Sequence, residues 1–266
     1  MKRLPSGIAV VMALAVFSTT AALSDEEASL REQSQNPVAD LISLPFQNNT
    51  SFGVGPDDGV SNVLNIQPVV PVNLTDDWTL ISRTIVPLIY LSGDAPGGAR
   101  FGLGDINITG FLSPAGASEV IWGIGPSITI PSATNTVLGS EKWSAGPAAV
   151  VLTIQGPVVA GALVNQQFSF AGDDGRRDVS ALLIQPFVNY NFDGGWYLVS
   201  APIITANWEA SDGERWTVPV GGGGGRVFTI GQQPVNVSLQ AYYNAAAPRN
   251  GGDWSTRFQV QLLFPK

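Results

Sequence analysis

Toward the end of the chain, apolar and polar side chains alternate with a period of two. From Arg257 onward Phe258, Val260, Leu262 and Phe264 share one face of a strand, while Arg257, Gln259 and Gln261 share the other. The pattern recurs upstream. Over 235–244, Val235, Val237, Leu239, Ala241 and Tyr243 oppose Asn236, Ser238, Gln240, Tyr242 and Asn244. Over 182–192, Leu182, Ile184, Val188, Tyr190 and Phe192 oppose Gln185, Asn189 and Asn191. Over 122–130, Trp122, Ile124, Ile128 and Ile130 oppose Gly123, Gly125, Ser127 and Thr129. A soluble sandwich also alternates, but its wet face meets bulk water and carries many Lys and Glu. Here the wet faces hold mostly Asn, Gln, Ser, Thr and Gly, which suits an enclosed polar lumen.

Clusters of Gly, Pro and Asn or Asp punctuate the chain at intervals of about ten to twenty residues, as in an all-β protein. The spacing predicts strands over 41–54, 60–73, 77–92, 100–112, 119–131, 142–154, 158–170, 178–192, 196–208, 214–230, 235–246 and 254–264, twelve in all. An even number returns the chain to the side it started from, as bacterial barrels require. The odd connections, such as Gly93 to Ala99, Ser132 to Glu141 and Ala247 to Asp253, are mostly acidic or Gly-rich; even ones, such as Gln155-Gly156-Pro157 and Asp193-Gly194-Gly195, are tighter. The odd set is expected outside and the even set in the periplasm. Aromatic residues gather near strand ends, among them Trp78, Tyr90, Trp122, Trp143, Trp196, Tyr197, Trp208, Trp216, Trp254 and Phe264. Two interfacial girdles would look like this, although ordinary cores also hold aromatics.

Other features pull against that picture. Pro68, Pro87, Pro126, Pro147, Pro186, Pro202 and Pro219 fall inside proposed strands and lack a ladder donor, so bulges or bends are expected there. The run Gly221 to Gly225 weakens the tenth strand. Arg226 falls on the lipid parity of Trp216, Val218 and Val220, which places it either at the interface or beyond a bulge that switches parity.

Composition narrows the class. Hydrophobic residues make up 44% of the chain and charged ones only 13%, about half the share usual in a soluble domain. Something other than water is expected to cover part of the surface. Lys2 and Arg3, the uncharged run Ile8 to Phe17 and the small residues Ala21, Ala22 and Ser24 follow the order of a signal peptide. That apolar run is too short for a spanning helix. Cleavage is expected after Ser24, or failing that after Ala22, which leaves a mature chain of roughly 240 residues. Domains are therefore read as 1–24, signal peptide; 25–40, a polar acidic segment; and 41–266, barrel. The 25–40 segment has weak helical character and reads as a periplasmic tail or short helix, or as a plug folded into the lumen.

Removing Lys2 and Arg3 takes the basic count from 13 to 11 against 21 acidic residues. No basic stripe remains for nucleic acid. With no Cys and no His, disulfides, thiolate sites, Ser-His-Asp catalysis and imidazole metal ligation are excluded. Asp57-Asp58 and Asp173-Asp174 could hold a divalent cation, but they read better as solvated loop acids. Gly221 to Gly225 lacks the Lys-Ser/Thr of a phosphate loop, and Gly102 to Asp105 has no helix after it. No metal and no cofactor are expected.

Several mid-chain motifs are familiar in wording and order: Gly102-Leu103-Gly104-Asp105-Ile106, Gly125-Pro126, Pro131-Ser132-Ala133-Thr134, Leu138-Gly139-Ser140-Glu141-Lys142-Trp143 and Gly146-Pro147. Together with Asn36-Pro37-Val38-Ala39-Asp40, Asn48-Asn49, Arg215 to Pro219 and Leu263-Phe264-Pro265-Lys266, they resemble the barrel family filed under meta-pathway phenol degradation. Its members are often labelled transporter or neuromedin U. The resemblance spans nearly the whole mature chain. It implies an outer-membrane barrel moving small, aromatic or otherwise hydrophobic, compounds. In this chain Pro265-Lys266 follow the aromatic that usually ends such barrels.

The expected architecture is thus all-β: an antiparallel transmembrane β-barrel of about twelve strands, preceded by a signal peptide and a short N-terminal segment. By parity Phe101, Leu103, Asp105, Asn107, Thr109 and Phe111 point inward on the fourth strand, and Arg83 does so on the third. Asp105 and Arg83 are expected to pair across adjacent strands, as a structural clasp or as part of a constriction selecting solutes by charge. The lumen and selectivity candidates are Arg83, Asp105, Asn107, Gln185, Asn189, Gln240, Tyr242, Arg257, Gln259 and Gln261. Phe101, Phe111, Phe187 and Tyr242 would either stack on an amphipathic aromatic solute or simply fill a narrow barrel.

Passive passage of small molecules through an outer-membrane barrel is the leading expectation. A non-transporting structural or surface-exposed barrel is the alternative, and an enzyme would need a serine or carboxylate site without histidine. Expected partners are outer-membrane lipid and lipopolysaccharide, the barrel-assembly machinery and a small solute. Oligomeric state is open.

Overall fold

The computed structural model describes residues 28–92, 98–116 and 118–265. The expected signal peptide, the start of the acidic segment, most of the Gly93–Ala99 connection and Lys266 lie outside these residues. A helix, α1, covers 28–35. Fifteen strand segments follow: β1 (Ile42–Val54), β2 (Gly59–Ile66), β3 (Val69–Asn73), β4 (Trp78–Leu91), β5 (Arg100–Leu103), β6 (Ile106–Pro114), β7 (Ile121–Ile130), β8 (Lys142–Gln155), β9 (Val158–Gly172), β10 (Ser180–Asn191), β11 (Trp196–Ser200), β12 (Ile204–Asn207), β13 (Trp216–Ile230), β14 (Gln233–Ala246) and β15 (Gly251–Phe264). Three pairs are halves of one interrupted strand (β2 with β3, β5 with β6, β11 with β12), so the segments make the twelve expected staves. Every neighbouring pair is antiparallel, and β15 returns to β1 over a register from Ile42↔Phe264 to Val54↔Gly251, closing the ring.

The prolines explain the interruptions. Pro68 and Pro202 stand in the gaps between half-strands, and Pro186 on β10 faces the β11–β12 gap between the pairs Ile184↔Ile204 and Val188↔Ser200. Pro87 faces the β5–β6 gap, and Pro219 sits at a register shift against β14. Pro126 and Pro147 lie opposite each other on β7 and β8. Their outer ladders skip at that level: β6–β7 pairing jumps from Thr109↔Ser127 to Leu112↔Ile124, and β8–β9 from Ala145↔Phe168 to Ala148↔Asn165. A missing N–H thus falls where the partner strand is absent, bent or out of register, as ladder chemistry demands. The Pro126–Pro147 level leaves an apolar cleft on the outer face, lined by Ile124, Ala149 and Val164.

Outward positions carry the barrel's exposed apolar surface, including Ile124, Val151, Val188, Leu198, Val220, Leu239 and Phe258. Aromatics form belts at both ends. Trp78 meets Trp122 edge-on at 6.2 Å at the end where the turns are short, and at the opposite end Phe52 stacks on Trp254 at 4.1 Å and Trp208 meets Trp216 at 5.5 Å. Arg226 settles at the short-turn end as an interfacial residue. Its guanidinium lies 5.1 Å from the Trp196 ring, and its Nε donates to the Gly194 carbonyl. Tyr197 departs from the belt and points into the lumen, 5% exposed. The glycine run does not break its strand: β13 is continuous from Trp216 to Ile230.

Leu239, 60% exposed midway along β14, is a direct test of the lipid face. Leu239→Arg is expected to cost about 2–4 kcal/mol of folding free energy in a bilayer. Denaturant titration in liposomes measures it, and an unchanged midpoint would place this face against something other than hydrocarbon.

Candidate functional site

The lumen is built in two parts. Near the short-turn end its wall is apolar: Ile81 (β4), Phe111 (β6), Ala148, Val150 and Leu152 (β8), and Val159 and Leu163 (β9) form one buried cluster. The polar lumen expected from alternation therefore holds for only part of the wall. β8 and β9 carry small and branched apolar residues on both faces, and the sequence pattern there does not alternate.

The reason for that apolar wall is the N-terminal segment. Val38 joins the β4–β9 cluster, while Leu30, Ala39 and Leu41 pack with Tyr197, Val227 and Leu263 in a second cluster. Polar contacts fix the same segment: Gln35 Nε2 donates to Asn191 Oδ1 at 2.9 Å, Arg31 Nη1 to the Phe192 carbonyl at 2.6 Å, and Asn236 Nδ2 to Ser34 Oγ at 3.2 Å. Asn36 Oδ1 accepts from Val38 N, turning the chain out of α1. Leu30, Val38, Ala39 and Leu41 thus pack against side chains that the strands point inward.

Above it lies a cavity of about 180 Å³. Seven of the ten candidates line it: Arg83, Gln185, Asn189, Gln240, Arg257, Gln259 and Gln261. Arg83 Nη2 donates to Gln67 Oε1 at 2.7 Å. Arg257 Nε donates to Asn49 Oδ1 at 3.0 Å and Nη1 to the Ala201 carbonyl at 2.8 Å, and its guanidinium lies 5.2 Å from the Tyr242 ring. Tyr242 in turn donates to Gln240 Oε1 and accepts from Ala201 N. Thus Tyr242 acts behind the cavity wall by holding Arg257 and Gln240.

Asn107 faces the lumen elsewhere. Its Nδ2 donates to Ser127 Oγ and Thr129 Oγ1, both at 3.0 Å, within a web that continues through Thr109, Asn165 and Gln167. Such a web satisfies buried polar groups and stiffens the β6–β9 wall.

Asp105 departs from expectation. It sits in the β5–β6 break, where its carboxylate accepts from Ala133 N at 3.2 Å, Ser140 N at 2.7 Å and Ser140 Oγ at 2.8 Å. No Arg83–Asp105 pair forms; the break turns the carboxylate toward the 131–141 loop. That loop bends over the lumen, with Leu138 buried and Thr134 N bonded to the Leu103 carbonyl. Arg176 fastens its other side through the Thr136 and Gly139 carbonyls. The same break reverses parity: Tyr90↔Phe101 pairing puts Phe101 outward, 73% exposed, and Leu103 with it, whereas Asn107, Thr109 and Phe111 point inward as expected.

Gln47, Asn49 and Gln67, which are not among the ten candidates, brace the two arginines or line the cavity beside them. The polar parity Gln47, Asn49 on β1 was the available signal. Gly225 also serves this wall without any signal in the alternation: a Cβ there would fall 2.4 Å from the Tyr197 ring. Glycine there makes room for Tyr197, whose hydroxyl donates to Asn236 Oδ1 at 2.6 Å.

No protein-family model matches the chain, and no curated protein matches it either. Solved structures do match. An outer membrane channel from Pseudomonas putida F1 aligns at a TM-score of 0.63 with 17% identity, covering 84% of this chain and 94% of that one. The translocator domain of the autotransporter NalP from Neisseria meningitidis gives 0.50 at 10% identity, over 95% and 98% of the two chains. Outer membrane phospholipase A from Escherichia coli gives 0.44 at 13%, over 90% and 97%. At such identities the likeness is one of fold: this chain is a closed antiparallel barrel of the outer-membrane kind. Fold alone does not choose an activity.

Proposed function

We propose that this protein is a channel in the outer membrane of a Gram-negative bacterium, passing small hydrophobic or aromatic solutes through its lumen. The observation that carries the reading is the cavity enclosed by the closed barrel and lined by Arg83, Gln185, Asn189, Gln240, Arg257, Gln259 and Gln261. An exposed apolar belt between aromatic rims is the surface a bilayer covers, and the like-folded Pseudomonas putida protein is a channel. The start of β1, the end of β15 and the short turns face the periplasm, and the 131–141 loop faces outward. Residues 1–24 direct export. The resemblance to the phenol-degradation barrels supports aromatic solutes as the cargo.

Passage needs no chemistry from the chain, and the reading is of a protein that is not an enzyme. Amides around the cavity exchange hydrogen bonds with a solute, while the arginines discriminate by charge. The N-terminal segment seated in the periplasmic mouth favours a second reading, a barrel that transports nothing. Liposome swelling separates the two. Reconstituted protein is expected to admit small aromatic solutes that the bare bilayer excludes, and absence of flux for every small solute and ion would leave the structural reading standing.

A further inference from the structure

We propose that Arg83 and Arg257 form an anion site in the lumen that takes the carboxylate of a small aromatic acid, with the ring against Phe187. The proposal rests on the channel reading and names the class of solute.

The chain is acidic, with 21 Asp and Glu against 13 Lys and Arg. Yet the charged side chains lining the cavity are two arginines and no carboxylate. The ion pairs among the described residues are Lys142–Asp178, Arg176–Glu141 and Arg215–Asp212, all away from this cavity. Each guanidinium has five donors. Arg83 spends one on Gln67, and Arg257 spends two on Asn49 and Ala201. None of their remaining nitrogens is both buried and unpartnered, so the spare donors open on the cavity.

A cation enclosed without a counter-charge is costly, and two near each other more so. The protein answers with neutral acceptors only, which position the guanidiniums without neutralising them. An incoming carboxylate supplies the missing charge, and the planar donor fork matches its two oxygens.

The rest of the cavity fixes the other half of the ligand. Leu163, Phe187 and Val199, on β9 to β11, give it an apolar patch across the ring from Arg83 on β4 and Arg257 on β15. Its volume of about 180 Å³ is close to that of a cavity of roughly 150 Å³ known to take one benzene ring. One ring carrying one carboxylate satisfies both sides; acetate reaches only the arginines, and benzyl alcohol brings a ring without the charge.

Calorimetric titration of the detergent-purified full chain with benzoate, benzyl alcohol and acetate tests this directly. Benzoate is expected to bind at least about tenfold more tightly than either of the others. Arg83→Gln and Arg257→Gln are each expected to remove that preference, and Arg83→Lys to restore part of it. Retained heat-dependent gel mobility reports that each variant is folded. The Arg83 side chain makes one hydrogen bond to the wall, against two for Arg257, so Arg83→Gln carries the test should Arg257→Gln fail to fold. Benzoate binding no tighter than benzyl alcohol or acetate, or unaffected by Arg83→Gln, overturns the site. Benzoate binding without flux in liposomes overturns the channel reading and leaves the site intact.

Discussion

Deletion of residues 28–40 is expected to raise solute flux and single-channel conductance severalfold in reconstituted protein. Those residues place Leu30, Val38 and Ala39 into the two apolar clusters at the short-turn mouth, and Gln33 to Pro37 form part of the cavity wall. Their removal replaces packed side chains with water along the whole path. The barrel is expected to persist, because every ladder, including the β1–β15 closure, is made between strands that the deletion spares. Its stability will fall, since each buried aliphatic side chain contributes about 1.5–3 kcal/mol. Planar-bilayer recordings on the deleted and full chains give the comparison. Equal conductance would show that the segment does not obstruct the lumen.

Gly223→Ala is expected to prevent barrel formation, whereas Gly224→Ala is expected to fold. The two neighbours in the glycine run differ only by face. A Cβ on Gly223 would fall 1.9 Å from the Leu239 carbonyl oxygen of β14, a backbone atom that cannot move without opening the ladder. On Gly224 the nearest atoms are the Tyr197 carbonyl oxygen at 3.3 Å, which need yield only by a few tenths of an ångström, and Leu198 Cδ2 at 4.0 Å, an ordinary contact. Overpacking a core usually costs about 1–3 kcal/mol when side chains can yield; here the obstacle is main chain, so the loss is larger. Heat-modifiable migration on a gel reads folding for both variants. A Gly223→Ala barrel with unaltered thermal stability would mean that β13 and β14 can separate at no cost.

The staves were legible because a closed sheet between lipid and lumen forces each strand to declare two faces. Leu239, Tyr243 and Phe258 are exposed while Ser238, Gln240, Tyr242, Arg257 and Gln261 are buried, although Val235, on the outer parity, is buried too. Parity failed where the backbone left the ladder. Between Gly104 and Asp105 the chain interrupts its strand, so Phe101 and Leu103 turned outward and Asp105 turned to the 131–141 loop, while Asn107 kept its place. No side-chain pattern records such a break; Gly102, Gly104 and the opposing Pro87 were its traces. Alternation was equally silent on β8 and β9, where the inner face is apolar because Val38 covers it. The prolines, which weighed against a barrel when strands were imagined whole, mark the places where the strands are not whole. Arg83 and Arg257 were found by parity, but their company of neutral acceptors belongs to the tertiary structure.

The closing seam sets the order in which this molecule can be made. β1 and β15 stand at opposite ends of the barrel sequence and pair along nearly their full lengths. Contacts of such sequence separation form late, after the entropy of ordering the intervening chain has been met. Until then both strands are open edges, able to template pairing with any other extended chain. Ring closure removes both edges at one stroke, so an almost complete barrel is no safer than a half-built one, and its protection from aggregation arrives only with the last strand.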